Sequence, residues 1–591
     1  MGLFSRPTFP SISVDQVGTA FDASAKQATE TKTYDYIVVG GGTAGCCLAS
    51  RLSEDPMVSV LVLERGPLHD TMKSNIPLIS TDQTSKGTPL VKTPSEPVIA
   101  GRGQLIPFIQ AEALGGGSSA NAMLFTRGAV GDFNRWAELG HTSWDYKSLE
   151  PYFIKSEKCL DERTPWHGFS VCTGPMTNQL SYLPFKSQRL VQQAAIAMGY
   201  QNVTDFNSPD VPVDACAIIN MAVDESARRV STCTAYLPAS LVQARRQRLK
   251  VCTKAVAIRI ELDEGVAVGV LFNSSDRSIP GTFYARARKE IVLCCGALAS
   301  PQLLLLSGIG AKEHLSEHGI KCVVDLPGVG SHLQDHVGLP IMYEVPMVDT
   351  LHHGVNSIWK GLLEFGKYML GYKSIFGNTP SPMSIFAHST HIDDKTAAVP
   401  LSSPAEGANR PDIEIMAIAY CASGSIPEKF TTGVFSFLIG VLQPKSLGSV
   451  RLASSDPYAR PKVDLGFLTN RDDYAVLLKG VKLSMRIADW VTANGYPMKH
   501  YDVPRSESES DLDEFIRSKL ATLYHYTSTC RMGRPEEGGV VGDDLKVHGV
   551  RGLRVCDASV FPCITSAHTM APVIAVAERC ADIMKQADSN V

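Results

Sequence analysis

The sequence predicts a mixed α/β fold: a domain of parallel strands and helices interleaved with a second domain built on an antiparallel sheet covered by helices. Three observations lead there. A strand, glycine turn, helix, strand unit runs from Tyr34 to Gly66. Short alternating strands begin at about Arg248. From about Leu339 to Tyr501 the chain changes character, with many aromatics and prolines, before the first pattern returns at about Gly542.

The opening unit reads YDYIVVGGGTAGCCLASRLSEDPMVSVLVLERG. Tyr36 to Val39 is an apolar run that fits a buried strand, and the stretch after the glycines has helical character. A second apolar run, Val58 to Leu63, ends in Glu64. In a Rossmann-like unit each position has a job. Gly40 allows a tight turn, Gly42 lets backbone N–H groups approach a pyrophosphate, and Gly45 lets helix and strand pack closely. The helix N-terminus offers positive charge to phosphates, and Glu64 can accept hydrogen bonds from ribose hydroxyls. A bare GxGxxG is a weak signal, but with both strands, the helix and the acid in place the unit predicts a bound dinucleotide.

After a polar, turn-rich region to about Gln104, Leu114 to Asn121 reads LGGGSSAN. So many small residues predict backbone packed against a flat ligand, where side chains would clash. Trp136 to Lys155 reads as helical. Strands follow at Leu249–Val251, Ala255–Ile260 and Val266–Phe272, then a pair at Thr282–Ala287 and Glu290–Cys295. GALASPQLLLLSGIG reads as strand end, turn and helix, and PGVGSHLQDH, Pro327 to His336, as a loop against the same ligand. In the second domain, Asp412–Tyr420 and Gly433–Leu442 are strand-like and Asp472–Trp490 helical. A strand at Leu553–Cys556 and a helix from about Ala571 to Lys585 end the chain. The expected domains are a loose extension over 1–32, the dinucleotide-binding domain over 33–338, the second domain over 339–541, and a return to the first over 542–591. Part of the second domain is expected at about 150–225.

Composition is that of an ordinary globular protein: 591 residues, 44% hydrophobic, 20% charged, net charge −4. Nothing in it forms the basic stripe that nucleic acid requires. Pro7 and Pro10 interrupt the N-terminus, which lacks the apolar core of a secretory signal; Gly2 invites a myristoylation reading, but Arg6 stands where Ser or Thr is wanted. Pro301 and several glycines break the most apolar stretch, Ile291 to Ile309, so no membrane span is expected. The 15 cysteines include no CxxC pair, which disfavours a thiolate metal site and fits buried thiols in a reducing, cytoplasmic or organellar compartment. The sequons at Asn202 and Asn273 would matter only in a secreted chain.

Two histidines near the C-terminus, His525 in LYHYTSTCRMG and His568 in ITSAHTMAPVIAVAERC, lie in turn-like sequence. Imidazole is the natural proton acceptor near neutral pH. No third ligand lies at a metal-binding spacing to either, so no metal is expected. Ala571-Pro572 places proline in the first turn of the last helix. The positive end of that helix then lies beside His568, where it would stabilise a developing anion by about 0.3–2 kcal/mol.

These residues resemble the glucose–methanol–choline (GMC) oxidoreductase family of FAD enzymes, over roughly Thr33 to Ile583. The matching blocks are VVGGGTAGCCLASRLSEDPMVSVLVLERG, LGGGSSANAMLFTRG, GALASPQLLLLSGIG, PGVGSHLQDH, GSVRLASSDPYARPKVD and the tail from His525 to Asp582. The resemblance implies Gly40, Gly42, Thr43, Ala44, Gly45, Glu64 and Arg65 around the ADP half of FAD, with Val256 near the adenine. It implies Ser118, Ser119, Asn121, Ala122 and Met123 near the isoalloxazine. Asp557, Ala558, Thr569 and Met570 would face the ribityl and pyrimidine side. His525 falls at the family's catalytic base and His568 at its His-or-Asn position. The histidine pair is closest to aryl-alcohol-oxidase-like members, whereas GGGSSANAMLFTR is more like the methanol-oxidase loop.

The chain also departs from the pattern. Glu112 stands where a basic pair is usual, and Ser528 replaces a glycine. Ala120 occupies the place of the histidine that bonds covalently to FAD in choline oxidase, which implies noncovalent FAD. The implied function is oxidation of a primary or secondary alcohol, hydride passing to flavin N5 with His525 as general base and His568 positioning the hydroxyl. The flavin would be reoxidised by O2 or another acceptor. The aromatics between about Leu339 and Gly424 hint at an apolar or aromatic alcohol. The alternative is a non-redox lyase or cyclase using FAD structurally; a catalytically dead scaffold fits less well, because the histidines and FAD motifs are all present.

Overall fold

The computed structural model describes residues 8–21, 31–81, 88–161, 173–399, 410–422 and 430–589. Two eight-stranded sheets organise them. The first contains β1 (Thr33–Val39), β2 (Val60–Leu63), β3 (Leu249–Cys252), β4 (Ala255–Asp263), β5 (Val266–Ser274) and β6 (Thr282–Leu293) in the order β3-β2-β1-β6-β5-β4. The β1–β2, β2–β3 and β1–β6 pairings are parallel. From Tyr34 onward β1 is buried on both faces, as the unbroken apolar run in its second half requires of a covered parallel strand. Helix α1 (Thr43–Leu52) crosses between β1 and β2.

Strand β6 joins two kinds of sheet. Its first half pairs antiparallel with β5, and its second half pairs parallel with β1 and with Leu553–Val555. The two strands read from the sequence at 282–287 and 290–295 are therefore one, with a register shift between Ala287 and Glu290 where the reading broke it. Helix α2 (Gly296–Leu306) follows β6 directly.

The second sheet is centred on β7 (Val337–Val345), β8 (Met383–Ala387), β9 (Ile413–Ile418) and β10 (Gly433–Val441), all antiparallel, in the order β7-β10-β9-β8. Ala215–Ile218 extends it beyond β8. One face carries Ile413, Ile415 and Ile439 into a core shared with Leu477, Val481 and Ile487 of α3 (Arg471–Ala493). A Cβ on Gly480 would lie 2.6 Å from Ile439 Cγ2, so glycine here sets how closely helix and sheet approach. The opposite face carries Phe386, Met416 and Ile418, in contact with a cluster that includes Leu124 and Leu523. Helix α4 (Met570–Ser589) closes the chain, burying Ala571 to Ala577.

Two expectations need correction. Within the expected loose extension, Val14 and Val17 are buried and Thr19–Ala20 pairs with Phe283 and Tyr284 of β6, so residues 8–21 are packed structure. Gly2, Arg6 and Pro7 lie outside the described residues. The helix read over Trp136–Lys155 is two helices, Val130–Glu138 and Tyr146–Ser156. Gly140, at φ +105°, turns the chain between them, and the Asp145 carboxylate accepts from Ser148 N–H to start the second.

Candidate active site

The glycine turn behaves as its spacing predicts. Gly40 has φ +99°, and a Cβ there would lie 2.4 Å from the Cys294 carbonyl oxygen. At Gly45 a Cβ would come within 1.9 Å of the Gly40 carbonyl oxygen, so the α1–β1 approach admits only glycine. Gly42 differs: a Cβ there would meet the Cys294 carbonyl oxygen at 3.6 Å and Gly116 Cα at 3.9 Å, both ordinary contacts. Thr43 and Ala44 form the first turn of α1, and Ser118 N–H donates to Thr43 Oγ1 at 3.3 Å.

Glu64 ends β2 with both carboxylate oxygens engaged. Gly41 N–H donates to Oε2 at 2.8 Å and Gly66 N–H to Oε1 at 2.7 Å. Each oxygen keeps a second lone pair for a ligand. Burial raises the carboxyl to about 7 despite these amides. Glu64, Gly40, Arg65 and Val256 line one cleft of about 110 Å³. Glu112, the acid found where a basic pair was expected, lines it too. Its Oε1 lies 3.2 Å from Arg65 Nε and 2.5 Å from Arg460 NH1, so two cations neutralise it. A nucleoside diphosphate fits this donor and acceptor set.

The small-residue loop is fastened from behind. Ser118 Oγ donates to the Gly115 carbonyl and Ser119 Oγ to the Leu114 carbonyl, at 2.6 and 3.0 Å. Arg229, which sequence reading missed, is buried and donates to the Ser118 and Asn121 carbonyls and to Asn121 Oδ1. Burial lowers its guanidinium to about 9. Asn121 Oδ1 also accepts from Met123 N–H, and its amide lies 3.2 Å from Met570 Sδ. Met123 is fully buried at φ +64°, and the Ala122 carbonyl accepts from Thr379 Oγ1. Asp557 accepts from Gly296 N–H, Ser300 Oγ and Ser559 N–H, and burial raises its carboxyl. Ala558 follows, its carbonyl accepting from Ser528 N–H. Thr569 precedes α4, its carbonyl accepting from Val573 N–H, and Met570 begins the helix.

The structure brings the two histidines together. The rings of His525 and His568 lie 5.1 Å apart, centroid to centroid, at 81°. Two further residues, His336 and Glu414, which sequence analysis did not pick as site residues, orient them. His336 Nε2 lies 3.1 Å from the Thr565 carbonyl oxygen and His336 Nδ1 lies 2.9 Å from His525 Nδ1. A carbonyl can only accept, so the neutral His336 carries its proton on Nε2 and presents the Nδ1 lone pair. His525 therefore donates from Nδ1, and its Nε2 holds a lone pair with no partner among the described residues. Burial lowers His336 to about 4; burial and the neighbouring His336 and His568 push His525 well below the ordinary histidine range. Asp335 fixes the His525 backbone, its Oδ1 accepting from His525 N–H at 2.7 Å while Thr522 Oγ1 donates to Oδ2.

On the other side, His568 Nε2 lies 3.2 Å from Glu414 Oε1, which also accepts from Ser384 Oγ at 2.7 Å. Burial alone would raise the Glu414 carboxyl, but His568, Ser384 and His336 outweigh it and hold it low. An ionised Glu414 accepts a hydrogen bond from the His568 Nε2–H, which leaves Nδ1 for another group. The signal for Glu414 was in the sequence: a lone acid inside the otherwise apolar IEIMAI of β9. His336 carried a weaker one, at the end of a glycine loop already singled out. Ser528, in place of the family's glycine, has φ +71°, which explains why glycine is usual there. Among the described residues His314, Glu317 and His318 gather elsewhere, but His314 Nε2 accepts from Leu452 N–H, which occupies the lone pair a metal would need.

Comparison with known proteins gives the family. The GMC oxidoreductase family models match residues 34–338 and 444–577. A dehydrogenase, str4, of Strobilurus tenacellus is 35% identical, the match covering 96% of both chains. A solved FAD-dependent oxidoreductase from Chaetomium thermophilum superposes with TM-score 0.82 at 26% identity, covering 94% of this chain and all of that one. A fungal aryl-alcohol oxidase does so with TM-score 0.77 at 25% identity, covering 94% and 99%. The chain belongs to the GMC oxidoreductase family and is an FAD-dependent oxidoreductase.

Proposed function

We propose that this GMC oxidoreductase oxidises a primary or secondary alcohol to the carbonyl, with His525 as general base and His568 positioning the hydroxyl. The observation that carries the reading is the tautomer chain. Thr565 fixes the His336 proton, His336 fixes the His525 proton, and the lone pair left on His525 Nε2 takes the hydroxyl proton. Its depressed pKa keeps that lone pair free at neutral pH. His568, its Nε2 proton held by the Glu414 carboxylate, donates from Nδ1 to the same oxygen as the imidazolium of that ion pair. Bound FAD supplies the hydride acceptor. Residues of the glycine turn, Glu64, Arg65 and Val256 hold its ADP half; Ser118 to Met123, Asp557, Ala558, Thr569 and Met570 hold the rest, noncovalently. O2 or another acceptor completes the cycle. The apolar cluster of Leu124, Phe386, Met416 and Leu523 on the site face of the second sheet favours an apolar or aromatic alcohol.

Anaerobic mixing of the purified protein with a panel of aromatic and aliphatic alcohols tests this. A true substrate bleaches the flavin band, and admitting air separates oxidase from dehydrogenase. His525→Ala should keep its flavin yet slow bleaching by about 10²–10⁴-fold. The wild-type kcat/KM profile should hold level through neutral pH and fall only on the acid side, because protonating a base of depressed pKa requires a pH well below the ordinary histidine value. Unimpaired bleaching in His525→Ala would overturn the assignment. A flavin that no alcohol reduces would favour non-redox chemistry.

A further inference from the structure

A helix from Ile358 to Met369, IWKGLLEFGKYM, turns its apolar side outward. Ile358, Trp359 and Leu370 are 75%, 79% and 76% exposed, and Leu362, Leu363 and Met369 are exposed beside them. The protein side is the more polar one. Glu364 Oε2 accepts from Ile375 N–H, Tyr368 Oη donates to the Ala227 carbonyl, and Phe365 packs edge-on to Phe376. The exposure is thus no fraying: three side chains seat the helix and six apolar ones are left in water. A contiguous apolar face of this kind marks a contact surface.

Charge around the face identifies the occupant. Across Ile358 to Lys373 there are three exposed lysines, Lys360, Lys367 and Lys373, against one acid, Glu364, which pairs with Lys367 at 2.5 Å; Lys360 and Lys373 are left in excess in a chain whose net charge is −4. Trp359 and Tyr372 add aromatic rings with polar tips at the margin. Among the described residues no helix is long and apolar enough to cross a membrane. An exposed apolar stripe with aromatic and lysine edges is the pattern of a helix lying in a lipid interface. A second copy of the chain fits less well, since a stable dimer buries roughly 20–30 residues a side, more than one helix and its turn supply.

We propose that this helix docks the protein on an anionic lipid bilayer, its apolar face entering the acyl boundary and the lysines meeting the headgroups. The proposal is independent of the alcohol-oxidation reading. Flotation of the flavin-loaded protein with vesicles tests it, comparing phosphatidylcholine alone with phosphatidylcholine containing phosphatidylglycerol. The protein should float with the anionic vesicles, and a blue shift of fluorescence should vanish in Trp359→Phe. Combining Trp359→Ser, Leu363→Ser and Leu370→Ser should lower vesicle affinity by about tenfold or more, with flavin absorbance unchanged as the control for folding. Lys360→Glu with Lys373→Glu should abolish the preference for anionic lipid. Absence of flotation, or flotation unaffected by the triple substitution, would overturn the proposal. So would a concentration-dependent dimer lost in the triple variant without vesicle binding, which would assign the face to a second copy.

Discussion

The glycine turn and the histidine cluster are built in opposite ways. The turn is local: Gly40, Gly42, Gly45 and Glu64 lie in one strand–helix–strand unit, and backbone geometry dictates its residues. The cluster is assembled from distant segments. His336 precedes β7, Glu414 sits on β9, His525 lies in a loop, and Thr565 and His568 come just before α4. A local unit constrains through sterics: at Gly40 and Gly45 only glycine fits. An assembled cluster constrains through proton placement, where every member is replaceable at some cost in rate.

The largest expected effect breaks the local unit. Gly45→Val drives a side chain into the Gly40 carbonyl, and the protein should purify without flavin or fail to fold, read from visible absorbance and thermal unfolding. Gly42→Ala is the sharpening control. Its Cβ meets only ordinary contacts, so the fold should survive while flavin affinity falls by about tenfold or more, as expected of the turn position where a pyrophosphate approaches the backbone.

The cluster should respond in smaller, graded steps. His336→Leu removes the acceptor that fixes the His525 tautomer, and flavin reduction by substrate should slow by about 10–100-fold with flavin content unchanged. Glu414→Gln keeps the hydrogen bonds of Ser384 and His568 but removes the charge, and should cost about tenfold in the same stopped-flow measurement. If either variant reduced its flavin at the wild-type rate, the cluster would be a packing feature and the contrast would fail. The smallest effect is Ser528→Gly, which relieves a left-handed backbone and should raise stability by about 1 kcal/mol, seen as a higher Tm with little change in rate.

Legibility in the sequence follows the same division. The Tyr34–Gly66 unit was readable because periodicity and glycine spacing are properties of adjacent residues. The strands at Asp412–Tyr420 and Gly433–Leu442 came out nearly at their observed bounds for the same reason. The double strand read at 282–295 and the single helix at Trp136–Lys155 failed where a bulge and a left-handed glycine interrupt a pattern that propensity alone cannot count. Residues 8–21 looked loose because short segments gain order only from a partner, here β6. His525 and His568 were visible as unusual residues in turns. Their orienting partners were not, since nothing in the chain says that residue 336 lies beside 525, or 414 beside 568.

The sequence alone determined the dinucleotide turn and the alternation of sheet and helix, and offered His525 and His568 as candidates for chemistry, because each depends on side-chain type and on neighbours a few positions away. Only the tertiary structure decided which nitrogen of His525 carries the proton, why Glu414 stays ionised while buried, and how Arg65 and Arg460 neutralise Glu112. These depend on distances between atoms far apart in the chain, and hydrogen bonding and Coulomb energy are functions of distance in space.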